Sequence, residues 1–160
     1  MSNKEYNCVI LDRDGTLIED RHYLSRPEQV KLLPHTGEAL RILAGLGLKL
    51  VVVSNQSGIG RGYFTHYDIE EIHAVMNVAL AAEGIQLDGI YICPHHPEDH
   101  CSCRKPQVEL VDRAVHELGI KEGGIVVLGD TKSDIDLGIN LNATTFLVRT
   151  GYGADTEAAG

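Results

Sequence analysis

The chain has 160 residues, of which 43% are hydrophobic and 23% are charged, and its 23 acidic and 14 basic side chains give a formal net charge of −9. This length and composition suit one globular domain over residues 1–160 with its own apolar core, and exclude a disordered chain. The acidic balance and the lack of any apolar run near the roughly 18 residues of a membrane span predict a cytoplasmic protein that binds neither nucleic acid nor membrane. The absence of an obvious association stripe predicts a monomer.

The first predicted element is a buried strand that ends at two carboxylates. Val9, Ile10 and Leu11 favour a pleated, buried setting, and the sequence Asp-Arg-Asp-Gly-Thr follows directly from position 12. Period-two alternation places Asp12 and Asp14 on the same side of the chain. Two carboxylates held close together repel unless they share a proton or bind a cation, and oxygen ligands suit Mg²⁺. The alternative is an ordinary solvated turn, since Asp and Gly are common in turns.

The rest of the chain alternates between strand and helix patterns. After a loop over residues 20–33, helical spacing predicts helices over 39–46, 66–83, 108–118 and 134–141, the second capped by Thr65. Short apolar runs predict strands over 48–53, 87–93, 125–128 and 144–148. This alternation predicts an α/β fold: a doubly wound, Rossmann-like parallel sheet flanked by helices, with no separate cap domain.

Polar residues follow the apolar strands where ligands bind in such a sheet. Asp12, Asp14, Ser54 and Asp130 lie at predicted strand ends, and Lys105 lies in a loop. One carboxylate could attack phosphorus while the other exchanges a proton with the leaving oxygen. Mg²⁺ would offset the charge, and Ser54 and Lys105 would hold phosphoryl oxygens. Two alternatives stay open, because Ser54 could be an ordinary strand-end hydroxyl and Asp134 could either approach the metal or cap a helix.

Three of the four cysteines crowd into residues 93–103, together with three histidines. The spacing of Cys93, His95, Cys101 and Cys103 predicts a structural zinc site with three sulphur ligands and one nitrogen, and His96 and His100 are less favoured substitutes. The alternative is a reduced or redox-active thiol cluster. Cys8, at the start of the first strand, is interpreted as a core residue. A glycine-rich stretch at 58–62 is not a dinucleotide loop, because Tyr63 replaces the third glycine of that motif.

The order of these motifs resembles the haloacid dehalogenase (HAD) superfamily of phosphohydrolases. The matching residues are Asp12, Asp14, Gly15 and Thr16, then Ser54 and Asn55, then Lys105 and Pro106, and finally Gly129, Asp130 and Asp134. The resemblance implies that Asp12 is a nucleophile that forms an aspartyl-phosphate and that Asp14 is the general acid and base. It also implies that Mg²⁺ is held by the side chains of Asp12 and Asp130 and by the backbone carbonyl of Asp14.

The cysteine loop resembles a narrower, zinc-containing branch of this superfamily that lacks a cap domain. It contains Cys-Pro-His-His-Pro from position 93 and Cys-Ser-Cys-Arg-Lys-Pro from position 101. The resemblance implies a phosphatase that removes the C7 phosphate of D-glycero-D-manno-heptose 1,7-bisphosphate, on the route to ADP-heptose for lipopolysaccharide core. Asn55, Gln56, Arg61 and Arg104 would then bind this sugar phosphate.

Other functions stay open at the level of sequence. Thr131 stands where heptose enzymes often carry a basic residue, and the chain between His100 and Cys101 lacks the insertion that some of them have. The missing insertion also fits a histidinol-phosphate phosphatase of histidine biosynthesis. A phospho-accepting signalling domain also uses a doubly wound sheet with an Asp, a Ser or Thr and a Lys. However, such a receiver takes phosphate on its third strand, whereas this chain has its carboxylate pair on the first. A zinc-stapled interaction module without catalysis would leave the carboxylates at the strand ends unexplained.

Overall fold

The computed structural model describes residues 5–160, so the first four residues of the domain predicted over 1–160 lie outside the described part of the chain. Five strands form one sheet: Cys8–Leu11 (β1), Lys49–Asn55 (β2), Gly89–Cys93 (β3), Ile125–Gly129 (β4) and Thr144–Leu147 (β5). Their order is β3-β2-β1-β4-β5, and every described pairing is parallel. The helices are Thr36–Gly45 (α1), Ser57–Gly60 (α2), His66–Ala82 (α3), Glu109–Leu118 (α4), Lys132–Asn140 (α5) and Gly153–Ala159 (α6). The predicted doubly wound fold is confirmed.

The central strand β1 is buried on both faces, as its unbroken apolar sequence requires. Val9 and Leu11 belong to an apolar cluster that includes residues of α1 and α3. Cys8 and Ile10 alternate with them and belong to a second cluster that includes residues of α4 and α5. The sheet therefore separates two apolar layers, and the interpretation of Cys8 as a core residue is confirmed.

Helix α3 begins and ends where the sequence signals predict. The Thr65 hydroxyl accepts a hydrogen bond from the backbone N–H of Asp68, and the Asp68 carboxylate accepts from the Thr65 N–H in return. Just after the helix, Gly84 has a φ of +78°, which a side chain would disfavour. The sequence predicts an apolar stripe of Ile69, Ile72, Val75, Met76 and Leu80 on this helix, and all of these side chains are buried except Val75, which is 39% exposed.

Some boundaries differ from the sequence prediction. Strand β2 extends to Asn55, so Ser54 and Asn55 are its last two residues rather than the turn after it. The sequence also places Ile42 and Leu46 at helical spacing with Leu40 and Leu43, which predicts that they share an apolar face. That prediction is wrong for Ile42 and for Leu46, which follows α1 directly, because their side chains are 59% and 71% exposed. Helix α6 was not predicted, since its sequence is mostly small and acidic and carries no apolar period.

The chain order of the strands reverses at the centre of the sheet. Strand β1 lies between β2 and β4. After β1 the chain builds strands toward one edge of the sheet, and after β4 it builds β5 at the other edge. Such a reversal opens a crevice at the carboxyl ends of the central strands. Asp12 follows β1 and Asp130 follows β4 at this crevice. Within residues 5–160, none of the helices combines the length and apolarity needed to cross a membrane.

Candidate active site

An open cavity of about 220 Å³ lies at the carboxyl ends of β1, β2 and β4. The backbone N–H of Asp12 donates to the Leu128 carbonyl at 3.0 Å, which continues the β1 to β4 pairing beyond the strand and fixes Asp12 at the cavity floor. The residues that line the cavity are Asp12, Asp14, Asp20, Ser54, Asn55, Arg104, Lys105, Thr131, Ser133 and Tyr152. The structure therefore brings four of the predicted catalytic residues together from three separate parts of the chain.

Three hydrogen bonds hold the Lys105 side chain in place. Its ammonium group donates to Asp12 Oδ1 at 2.8 Å, to Asp134 Oδ1 at 2.7 Å and to the Val53 carbonyl at 2.7 Å. An ammonium has three N–H donors, so these bonds occupy all of them. Because Lys105 engages Oδ1 of Asp12, the second oxygen of that carboxylate is left for other chemistry.

Burial and charge act against each other at this ion pair. Burial raises the pKa of Asp12 well above its ordinary value, and the neighbouring Lys105 charge opposes that rise. Burial by itself lowers the pKa of Lys105, but the Asp12 and Asp134 carboxylates outweigh it and hold the pKa above its usual value. One lysine cannot neutralise the several carboxylates of this crevice, so its charge balance favours an additional cation.

Asp130 faces Asp12 from the end of β4. Its carboxylate accepts from the backbone N–H of Tyr152 at 2.8 Å and from the Thr16 hydroxyl at 3.3 Å. Burial raises its pKa. A Cβ on Gly15 or on Gly151 would overlap this carboxylate, and both glycines have positive φ, so the close approach requires glycine at both positions.

These carboxylates suit a divalent cation. Single oxygens of Asp12, Asp130 and Asp134 all lie within 4.8 Å of one another, and all three residues are buried or nearly so. Asp134 is already used elsewhere, since its Oδ1 accepts from Lys105 and its Oδ2 accepts from the backbone N–H and hydroxyl of Thr131 at the start of α5. The structure therefore contains the helix cap that was one alternative for Asp134, and its approach to a metal stays a prediction. Asp12 and Asp130 fit Mg²⁺ better than Asp134 does.

Asp14 lies beside Asp12 and is held by two side chains. Arg13 donates to both of its oxygens, at 3.0 and 3.1 Å, and Gln56 donates to Oδ2 at 2.9 Å. The same Gln56 amide also donates to the Ser54 hydroxyl at 2.8 Å. Ser54 and Gln56 are both buried, so Gln56 connects Asp14 to Ser54 beneath the cavity surface.

The residues predicted to bind substrate differ in their contacts. The Asn55 side chain bonds to the backbone of Lys105 in both directions, at 2.9 and 3.2 Å, so it braces the loop that carries the lysine. Arg104 lines the cavity, and its Nη1 is buried with no hydrogen-bond partner among residues 5–160. Arg61 lies farther out, with its guanidinium 5.8 Å from the ring centre of Tyr23.

Three residues near the site are not marked by the sequence motifs described above: Arg13, His73 and Tyr152. In the sequence, Arg13 is only the residue between two aspartates, and the role of a basic residue there cannot be predicted without knowing whether it is buried. His73 lies on α3, 60 positions from the Arg13 side chain that it contacts. Tyr152 lines the cavity just before α6, and the Gly-Tyr-Gly sequence around it was the available signal for a close chain approach.

The four predicted cysteine-loop ligands lie together beside this site. Cys93, His95, Cys101 and Cys103 each place one ligand atom within 4.8 Å of all the others. Measured distances run from 3.0 Å between the sulphurs of Cys93 and Cys103 to 3.7 Å between those of Cys101 and Cys103. Bonds of about 2.3 Å to a tetrahedral metal would place sulphurs a little under 4 Å apart, so a small expansion of the cluster would give a closed metal site.

Other contacts explain why the remaining two histidines of the loop stand apart. The His96 ring accepts from the backbone N–H of Glu98 and so caps a short turn. His100 is exposed and is absent from the ligand cluster found among the described residues. At Cys101, burial raises the pKa, but hydrogen bonds from Cys93 and from the Arg104 N–H outweigh it and lower the pKa to about 7. The cluster can therefore hold a metal ion through residues that lead directly into Arg104 and Lys105.

Comparison with known proteins gives one family and a consistent set of relatives. Residues 102–160 match the family described as HAD-hydrolase-like. The chain is 38% identical over 160 residues to D-glycero-beta-D-manno-heptose-1,7-bisphosphate 7-phosphatase of Haemophilus influenzae, covering 96% of this chain and 87% of that protein. It is 37% identical over 163 residues to the protein of the same name from Escherichia coli, covering 97% and 85%.

A solved structure is similar over nearly the same span. The D,D-heptose 1,7-bisphosphate phosphatase of B. bronchiseptica, complexed with magnesium and phosphate, superposes with a TM-score of 0.90 at 33% identity. The match covers 96% of this chain and 87% of that chain. The similarity therefore includes both the carboxylate crevice and the cysteine loop.

Proposed function

The chain belongs to the HAD-like family of heptose-bisphosphate phosphatases, and from this membership we propose that it removes the C7 phosphate of D-glycero-beta-D-manno-heptose 1,7-bisphosphate. It is a phosphoric monoester hydrolase, as its relatives are. The observation that carries the proposal is the arrangement of Asp12 and Asp14 on one open cavity beside Lys105. The signalling alternative is set aside, because the family is one of phosphatases.

In the first step, Asp12 attacks the phosphorus of the C7 phosphate. A bond forms between a carboxylate oxygen and phosphorus, and the bond from phosphorus to the C7 oxygen breaks. The contact from Lys105 to Oδ1 supports attack by Oδ2 and keeps the nucleophile oriented. Asp14 gives its proton to the departing C7 oxygen, so the sugar leaves as an alcohol.

In the second step, water releases phosphate from Asp12. Asp14 takes a proton from that water, whose oxygen bonds to phosphorus while the bond from phosphorus to Asp12 breaks. Ser54 and Lys105 would stabilise the charge on the phosphoryl oxygens. All three N–H donors of Lys105 are occupied. We therefore expect the N–H that donates to Asp12 to donate to a phosphoryl oxygen instead, once the Asp12 carboxylate has lost its charge by bonding to phosphorus.

Mg²⁺ would be held by the carboxylates of Asp12 and Asp130 and by the backbone carbonyl of Asp14. When bound, it would offset the negative charge of the phosphoryl group and of the crevice. Burial raises the pKa of both Asp12 and Asp130, and a divalent cation would favour their ionised forms. This fits a nucleophile that must be charged to react.

The substrate is tested by comparing phosphate release in Mg²⁺ from the beta and alpha anomers of the heptose 1,7-bisphosphate and from histidinol phosphate. We expect the highest kcat/KM for the beta anomer, because the relatives compared are named for it. A distal phosphate would meet Arg104, whose buried Nη1 is without a partner in the described part of the chain. Higher kcat/KM for histidinol phosphate would keep the chemistry and reject this substrate.

We further propose that the metal of the cysteine loop is a structural Zn²⁺. Three thiols and one imidazole form the ligand set of many closed zinc sites, and all four positions would be taken by protein. The loop from residue 94 to residue 107 contains one short helical turn and little other regular structure, so a metal would fix it. A loop fixed in this way would also hold Arg104 and Lys105 in position, because they follow Cys103 directly.

Replacing Cys101 and Cys103 together with Ser is expected to abolish zinc binding and to lower both the thermal midpoint and kcat. The loss in kcat follows because Lys105 lies only two residues beyond Cys103. Elemental analysis of the purified protein measures the zinc, with Cys8→Ala as the matched control, since Cys8 is a buried cysteine outside the cluster. The control should keep one zinc per chain, and a wild-type protein without zinc would reject the proposal.

The predictions of a cytoplasmic monomer that binds neither nucleic acid nor membrane remain predictions. The same holds for Asn55, Gln56 and Arg61 as direct substrate contacts. The inward hydrogen bonds of Asn55 and Gln56 favour a bracing role for both side chains.

A further inference from the structure

Arg13 is a buried charge that the two proposed catalytic steps do not use. Its side chain is 1% exposed, although arginine is rarely buried unless its N–H groups are paired. Nε donates to Asp14 Oδ2 at 3.0 Å and Nη2 donates to Asp14 Oδ1 at 3.1 Å, so the guanidinium grips both oxygens of one carboxylate. Paired contacts of this kind fix the plane of the carboxylate as well as its position.

The other end of the guanidinium is anchored on a different element. Arg13 Nη1 lies 3.1 Å from Nε2 of His73, a partly buried residue of α3. Burial, and then the positive charge of Arg13, lower the pKa of His73 to about 4. The ring is therefore neutral near pH 7, so Nε2 can accept the Arg13 hydrogen while Nδ1 carries the ring proton.

We propose that Arg13 and His73 are positioning residues, and that a chain of hydrogen bonds from α3 through the guanidinium holds the Asp14 carboxylate in the orientation that proton transfer requires. This inference rests on the proposed function and deepens it at the same site. Neither side chain lines the cavity, so both act through Asp14 rather than on the substrate.

The exposure of Asp14 explains why such a clamp matters. Its side chain is 23% exposed at an open cavity, whereas the Asp12 side chain is 11% exposed and the Lys105 side chain is 3% exposed. Gln56 reaches only Oδ2, so the bond from Arg13 to Oδ1 is what fixes the second oxygen. General acid and base catalysis contributes about 10²- to 10⁴-fold, and a displacement near 1 Å can cost about 10²-fold. A loosened Asp14 should therefore lower kcat and leave KM almost unchanged.

The test compares His73→Leu with His73→Gln in steady-state phosphate release, using both the heptose bisphosphate and p-nitrophenyl phosphate. Leu removes the acceptor, and we expect kcat to fall about 10-fold with KM within about 2-fold of wild type. Gln can place an amide oxygen near the former Nε2 and should recover most of the loss. Arg13→Lys keeps the positive charge but loses the paired N–H donors that contact both oxygens of Asp14, so it should lower kcat about 10²-fold.

Ile72→Val supplies a matched control for general destabilisation. Ile72 is the fully buried neighbour of His73 on α3, and it belongs to the apolar cluster between α3 and the sheet. Its variant should lower the urea midpoint with kcat unchanged. Equal kcat losses in His73→Leu and His73→Gln, or no loss in His73→Leu, would overturn the positioning role. The proposed function would still stand in that case, provided that the wild type is active. A wild type without turnover on either substrate would overturn both.

Discussion

Replacing Asp12 by Asn is expected to lower phosphate release by at least about 10³-fold while the fold stays intact. The amide matches the carboxylate in shape but cannot form the bond to phosphorus. The Asn side-chain oxygen can still accept the hydrogen bond from Lys105, and Asp134 still balances the Lys105 charge, so the fold should stay intact. Phosphate release and the thermal midpoint are measured on the same preparation.

The control for Asp12→Asn is Asp112→Asn, the same change at an exposed position of α4. This variant should release phosphate at the wild-type rate. A second check is rapid acid quenching of wild type and Asp12→Asn with substrate, followed by peptide mapping for phosphate on residue 12. Substantial turnover by Asp12→Asn would contradict the assignment of the nucleophile.

Replacing Lys105 by Met should lower both stability and activity. The ammonium is the shared partner of Asp12 and Asp134, and its side chain is 3% exposed. Removing one partner of a buried ion pair commonly costs about 3–5 kcal/mol in the free energy of unfolding, because the remaining charge is left uncompensated. Loss of one preorganised donor to the phosphoryl group should add a fall in kcat of about 10²- to 10³-fold.

Urea unfolding and turnover of two further variants separate these effects of Lys105. Lys105→Met combined with Asp134→Asn removes one of the uncompensated charges, so it should regain part of the stability while kcat stays low. Lys132→Met removes an exposed lysine paired with Asp136 on α5 and should change stability by less than about 0.5 kcal/mol. If Lys105→Met unfolds at the wild-type urea concentration and turns over normally, the role given to this lysine is wrong.

The sequence predicted those parts of the fold and site that depend on local pattern. Strand β1 was predictable because three apolar residues meet two aspartates and a glycine, and α3 because Thr65 and Asp68 form a capping box. The clustering of Cys93, His95, Cys101 and Cys103 was predictable because four residues within eleven positions carry the spacing of a metal site.

Other features depend on contacts between distant parts of the chain. The contact between Arg13 and His73 joins the end of β1 to the middle of α3, and neither residue type marks such a pairing in advance. The inward turn of Gln56 depends on where Asp14 and Ser54 lie in three dimensions. Ile42 and Leu46 fit a helical period, but the buried face of α1 is decided by the sheet that it covers.

For Asp130, one feature depends on local sequence pattern and another depends on a contact with a distant part of the chain. Its place after an apolar run predicted a ligand at a strand end, whereas its hydrogen bond from Tyr152 depends on a segment that follows the last strand. That segment also bonds through Thr150 to the Gly15 carbonyl at 2.7 Å, so it ties the ends of β1 and β4 together. The sequence of α6 carries too little apolar character to predict this contact.

The central claim is that this chain transfers the C7 phosphate of the heptose bisphosphate through Asp12. The most direct measurement is ³¹P NMR of the products formed from D-glycero-beta-D-manno-heptose 1,7-bisphosphate in Mg²⁺, with wild type and Asp12→Asn in parallel. The account predicts that wild type yields inorganic phosphate and heptose 1-phosphate, and that the variant leaves the bisphosphate intact. Release of the C1 phosphate, or equal product formation by both proteins, would contradict it.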